Sequence, residues 1–341
     1  MSKSFEEFED KLRIEKTDLV RENRYSRYCD FIFYPSSLDP QLILAMRVLK
    51  PEKPSYILAG THGWHMSIPE FEEYTEPQSD YLQIQVDMRG RAFSDGMPDC
   101  NGFELFDIID AIEYVKKHYE EYIIDPDIVF FQAGSGGGGN SFAIAGKFPD
   151  YFSHIVTMTA MSDYALWYRN DAVGEFRDEL DVWIGDISNQ MAYDSRSGLT
   201  VVENLCAPMA LVHGDGDIRV PEYHTAIYID RANTFGKKEL LTYLKLHGVG
   251  GADHFTNITD EGMADVRKFC DSERKKHMTP VQIPRKGSMV IGGYLVTKEF
   301  SVMLNSIDKV ARIDYDLDEG TYKISGVAEG EYVINFPSVS R

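Results

Sequence analysis

The chain has 341 residues, 43% of them hydrophobic, which is enough for one large core and a small appended domain. Its formal charge of -20 would repel a phosphate backbone, so nucleic acid is set aside as a partner. The N-terminus MSKSFEEFEDKL lacks an apolar h-region and no run reaches the roughly 18–20 apolar residues of a membrane span, so a cytoplasmic protein is expected.

Residues 4–22 predict a surface helix, followed by two strands, FIFYP and LILAMRVLK, joined at SSLDPQ. The short apolar strand SYILAG then runs into THGWH. Beyond it strands and helices alternate: YLQIQVD, a helix over Phe103–Glu120, DIVFFQ and a helix over Asn140–Phe148, HIVTMTAM, MALVHG, a helix over Tyr223–Phe235, LLTYLKLHG, and a helix near Glu261–Lys276. Phe103, Phe106, Ile109, Ala111 or Ile112, and Val115 fall on one stripe of the first helix, the spacing of a helix packed on a sheet. Such alternation predicts an α/β fold, a mostly parallel sheet with helices on both faces. The segment from Asp163 to Glu203, rich in Trp, Tyr and acidic residues, interrupts the rhythm and predicts a cap over the carboxyl edge of the sheet. After Pro280 the texture becomes all-β, as in SMVIGGYLV, KVARIDYDL and EYVINFP. The expected organisation is a main domain over 1–279, with 163–203 as its cap, and a small all-β domain over 280–341 that needs a partner surface, either the main domain or a second copy in a homo-oligomer.

The stretch FFQAGSGGGGNSF (131–143) admits two functional readings. From Gly134 to Gly139 it satisfies the dinucleotide fingerprint G-x-G-x-x-G, with Asp163 at about the distance of the ribose-binding acid. Around Ser135 it approaches the G-x-S-x-G turn of serine hydrolases, with Ala133 in place of the first glycine. A third reading has the glycines serve close packing alone. The hydrolase reading places demands on distant residues, because a serine hydroxyl needs an imidazole base and the imidazole a carboxylate. Ser135 follows DIVFFQAG, Asp217 follows MALVHGDG and His254 follows LLTYLKLHGVGGAD, three post-strand loops in the order Ser, Asp, His. The Gly136 amide is then placed to donate to an oxyanion.

With these residues in view, HGDGDIRVP (213–221) resembles the HGxxDxxVP segment of α/β-hydrolases, particularly the prolyl-oligopeptidase-like peptidases and their esterase relatives. VDMRGRAFSDG (86–96) is similar to their DxRGxGxSxG loop, and the likeness extends over roughly residues 50–270. It implies an α/β-hydrolase fold, Ser135 as nucleophile, Asp217 as triad acid, His254 as base, and the Trp64 amide of the THGW turn as the oxyanion donor beside Gly136. With no β-propeller ahead of the catalytic segment, the implied substrate is a small ester or short acylated metabolite, and the expected activity that of a carboxylesterase or deacetylase without a cofactor.

Alternatives stay open beside this expectation. The enzyme rival is a prolyl-oligopeptidase-like aminopeptidase, for which Glu175 or Glu179 could hold a free amino terminus. From other classes come a dinucleotide-binding protein and a non-catalytic module on the same fold. Asp215 rivals Asp217 as the acid, and His247 and Ser141 are weaker candidates than His254 and Ser135. His62 is expected to brace the oxyanion loop, Asp87 and Arg89 to pair beneath the site, and Trp64, Trp167, Tyr168 and Trp183 to form either a pocket wall or the core of the cap. No metal site is expected: the nine histidines show no H-E-x-x-H spacing, Glu72 and Glu73 read as a solvated face, and Cys29, Cys100, Cys206 and Cys270 lack C-x-x-C spacing.

Overall fold

A computed structural model describes residues 21–336 except 173 and 175, so the predicted helix over 4–22 lies outside it but for its last two residues, which are not helical. Nine strands form one sheet: β1 (Arg24–Tyr25), β2 (Cys29–Pro35), β3 (Ile43–Leu49), β4 (Ile57–Gly60), β5 (Leu82–Asp87), β6 (Val129–Gly134), β7 (His154–Met158), β8 (Met209–Gly214) and β9 (Leu241–Leu246). Their order is β1-β2-β3-β5-β4-β6-β7-β8-β9, antiparallel from β1 to β5 and parallel from β5 to β9. Side chains alternate between the faces. Ile155, Met209 and Leu211 point into the core shared with helices α1 (Glu104–His118), α2 (Gly136–Lys147) and α6 (Tyr223–Thr234), while Val156, Ala210 and Val212 meet helix α7 (Asp260–Lys276) on the other face. Among the described residues no helix is long and apolar enough to cross a membrane.

Two expectations about helices are corrected. The fully buried stripe of α1 is Leu105, Ile108, Ala111, Ile112 and Val115, whereas Phe103, Phe106 and Ile109 sit on its half-buried shoulder. The apolar arc is wide because α1 has a second neighbour, the C-terminal sheet. Helix α2 starts at Gly136 rather than Asn140, so the four glycines form its first turn and not a loop. Glycine is a poor helix former, and here packing overrides propensity.

The segment between β7 and β8 folds as three short helices, α3 (Tyr164–Asn170), α4 (Arg177–Trp183) and α5 (Gln190–Asp194). Trp64, Trp167, Phe176, Leu180 and Trp183 form their shared core.

Strands β10 (Lys286–Gly292), β11 (Tyr294–Val296), β12 (Ser301–Leu304), β13 (Val310–Asp316), β14 (Thr321–Ser325) and β15 (Tyr332–Asn335) build a second, antiparallel sheet in the order β14-β13-β10-β11-β12-β15. SMVIGGYLV, which reads as one strand, reverses at Gly293, whose φ of +74° suits glycine, so that Gly292 pairs with Tyr294. This sheet packs on the main domain. Tyr294 is fully buried, its ring centroid 4.7 Å from Phe106 and 5.7 Å from Phe148, and its hydroxyl donates to the Gly102 carbonyl at 2.7 Å. Asn204 bonds both the amide and the carbonyl of Val290, at 2.8 and 2.7 Å. Truncation of Tyr294 to alanine is expected to cost about 4 kcal/mol by removing a buried aromatic and orphaning a carbonyl. Urea unfolding checks this value; a loss below about 1 kcal/mol would mean that the two sheets are not joined through this residue.

Candidate active site

Ser135 stands between β6 and α2 with φ 54° and ψ -123°, a conformation L residues rarely adopt, held by its amide bond to the Met158 carbonyl at 3.0 Å. The turn closes this tightly because of its glycines. A Cβ on Gly136 would lie 2.6 Å from the Trp64 amide nitrogen, and one on Gly138 would lie 2.4 Å from the Ala160 Cβ. The close approach that glycine permits is thus made to the chain's own atoms. Asp163, the acid of the dinucleotide reading, accepts the Leu166 amide as the N-cap of α3.

Asp217 follows β8 and His254 lies in the loop between β9 and α7. Ser135 Oγ donates to His254 Nε2 at 2.8 Å, and His254 Nδ1 donates to Asp217 Oδ2 at 2.6 Å. The other Asp217 oxygen accepts the amides of Arg219 and Val220 at 3.0 and 2.9 Å. Burial pushes this carboxyl up, but the His213 imidazole at 3.7 Å, the His254 bond and the Val220 amide outweigh it and bring it to about 2. An ionised Asp217 fixes the tautomer in which Nε2 is free to take a proton. Asp215 and His247 pair with each other instead, at 2.9 Å on the surface, and Ser141 is buried within α2, donating to the Gly137 carbonyl.

The Trp64 backbone packs directly against Gly136, and the amide of neither donates to another described residue. Such a pair can hold an oxyanion. His62 shapes the turn: its Nε2 accepts the Met88 amide at 3.2 Å, which leaves Nδ1 to donate to the Gly63 carbonyl at 2.8 Å. Burial and the Arg91 charge hold this imidazole at about 3, so it stays neutral.

Glu179 of α4, 1% exposed, accepts from the Trp64 indole Nε1 and from His65 Nε2. The cap thereby latches the loop that carries the Trp64 amide, a tie between residues far apart in sequence that no local motif could signal. Glu179→Gln is expected to lower kcat about tenfold with little change in KM, because a loosened donor weakens the transition state more than the ground state. An unchanged kcat would show that the latch does not set the donor's position.

A cavity of about 20 Å³ adjoins the two amides, lined by Trp64, Met88, Arg91, Tyr164 and Trp183 among others, enough room for about one water-sized group. Trp64 and Trp183 therefore serve both as pocket wall and as cap core, while Trp167 donates to the Arg219 carbonyl and Tyr168 to Asp181. Asn140 ties the elements behind the cavity, bonding Thr61, Asn101 and Glu104. Only its position after the glycines hints at this in the sequence. The expected Asp87–Arg89 pair is corrected: the Arg89 guanidinium clasps Asp107 of α1, and Asp87 accepts the amides of Ile68 and Phe93. Glu72 and Glu73 are exposed, and Glu175 lies outside the described residues.

The model of the prolyl oligopeptidase family matches residues 77–271. Among solved structures, an acylaminoacyl peptidase in complex with Z-Gly-Gly-Phe-chloromethyl ketone superposes with a TM-score of 0.62 at 18% identity, covering 77% of this chain and 43% of its own. The uncomplexed acylaminoacyl peptidase of Pyrococcus horikoshii gives 0.60 at 19%, covering 77% and 43%. An esterase of Pyrococcus furiosus gives 0.51 at 14%, covering 77% of this chain and 95% of its own. The chain thus spans about two fifths of the length of those acylaminoacyl peptidases, and at such identities the likeness shows the fold. No curated protein matches it.

Proposed function

The chain belongs to the prolyl oligopeptidase family of serine hydrolases, and from that premise we propose that it cleaves carboxylic esters of short acyl groups, as a carboxylesterase or deacetylase. Ser135 Oγ attacks the ester carbonyl while His254 Nε2 takes its proton and Asp217 steadies the imidazolium. The oxyanion accepts the amides of Trp64 and Gly136. His254 then returns the proton to the departing alcohol, and a water activated in the same way frees the acid from Ser135.

The observation that supports the ester reading is the small cavity lined by Trp64, Gly136, Tyr164 and Trp183, whose room for about one water-sized group fits the methyl of an acetyl group and favours short acyl chains. The second reading, a peptidase, draws on the similarity to acylaminoacyl peptidases. An aminopeptidase would need a carboxylate to pair with a free amino terminus, and Glu179 is already engaged by Trp64 and His65. Rates on p-nitrophenyl acetate, butyrate and octanoate and on aminoacyl-p-nitroanilides decide between them. Highest kcat/KM on the acetate, falling with chain length, supports the proposal, while faster cleavage of the anilides would replace it with the peptidase reading.

A further inference from the structure

At the end of the sheet away from Ser135, His154 opens β7, and it is 1% exposed with neither ring nitrogen hydrogen-bonded to any described residue. A buried imidazole without a partner is costly and uncommon. His154 is in register with Phe130, so it lies about 16 Å along the strands from the nucleophile. The His277 ring, at the C-cap of α7, lies parallel to it at 6°, with centroids 5.1 Å apart. Stacking of this kind satisfies no ring nitrogen. Beside both is the Glu273 carboxylate, 4% exposed, one turn before His277 on α7. One donor atom from each of these three residues lies within 4.8 Å of the others.

We propose that His154, Glu273 and His277 form a divalent transition-metal site of the zinc type. Two imidazole nitrogens and one carboxylate oxygen are a donor set suited to Zn²⁺ or Co²⁺, with water completing a tetrahedron. Zinc–donor bonds of about 2.0–2.1 Å place donors about 3.3 Å apart, so the three groups must close by up to about 1.5 Å. His277 can supply the movement, since it sits where the helix ends and is only half-buried. The present partner of Glu273 is Lys276 at 2.5 Å, whose side chain is 60% exposed and free to swing into solvent, while the Thr242 hydroxyl at 3.3 Å orients the second oxygen. The neighbouring Arg274 guanidinium is held by Gln132 and lies over the Tyr81 ring. Metal bound here would fasten the end of α7, where the chain leaves for the C-terminal sheet, to the start of β7. His154 is distant in sequence from the other two, so spacing could not reveal the cluster.

The test is titration of the chelator-treated full chain with Zn²⁺ by calorimetry and with Co²⁺ by visible absorption, beside the variants His277→Ala and Glu273→Gln. One equivalent is expected to bind the wild type with tetrahedral Co²⁺ absorption, and affinity should fall about a hundredfold or more in either variant. Zn²⁺ should raise the melting temperature of the wild type and not of His277→Ala. Equal stoichiometry and affinity in all three proteins, or no tetrahedral Co²⁺ band in the wild type, overturns the proposal. Ester hydrolysis is not the readout, so this outcome is independent of the function proposed above.

Discussion

Ser135→Ala is expected to reduce ester turnover by about a million-fold, to a residue of catalysis supplied by the oxyanion amides and binding alone. The change removes one oxygen from a half-buried side chain whose hydroxyl is bonded to His254 at 2.8 Å. The unusual backbone of the turn, φ 54°, is the same for alanine as for serine, and its support comes from the Met158 carbonyl and the packed glycines rather than from the hydroxyl. Stability should therefore stay within about 0.5 kcal/mol of wild type. Initial rates on p-nitrophenyl acetate with a urea melt of the same sample separate lost chemistry from lost fold. Activity within tenfold of wild type would remove Ser135 from the mechanism.

Asp217→Asn should lower kcat by about ten thousand-fold while KM moves little, since an amide favours the wrong imidazole tautomer without touching the pocket. Asp215→Asn is the control, because Asp215 is bonded to His247 and the Gly248 amide on the surface and should leave kcat within about twofold. The same substitution has a signature in acid. The Asp217 carboxyl sits at about 2 in the folded protein, below its ordinary 3.8, so its ionised form contributes about 2 kcal/mol above pH 3.8, and this is lost as pH falls towards 2. The stability difference between wild type and Asp217→Asn should shrink across that window. Inactivity of the Asp215 variant with an active Asp217 variant would reverse the assignment of the acid.

The order Ser135, Asp217, His254 and the alternation of strands and helices were legible because both are written locally: apolar runs mark the parallel strands, and each proposed catalytic residue follows one of them. What escaped the sequence is what the tertiary structure decides. Four glycines read as a loop but wind into the first turn of α2 because Trp64, Thr61, Ala160 and Met161 crowd their faces. Arg89 pairs with Asp107 rather than Asp87, since α1 crosses beneath the loop. The Glu179 latch and the His154–His277 stack join segments more than a hundred residues apart, and no periodicity carries such contacts.

The central claim, that Ser135 is a nucleophile activated by His254 and aided by the Trp64 and Gly136 amides, is tested most directly by covalent labelling with a fluorophosphonate probe and mass spectrometry of the intact and digested protein. A single adduct on the peptide carrying Ser135, absent from Ser135→Ala and slowed by orders of magnitude in Asp217→Asn, is the result the account predicts. A folded wild type that takes no label, or takes it at another residue, would contradict it.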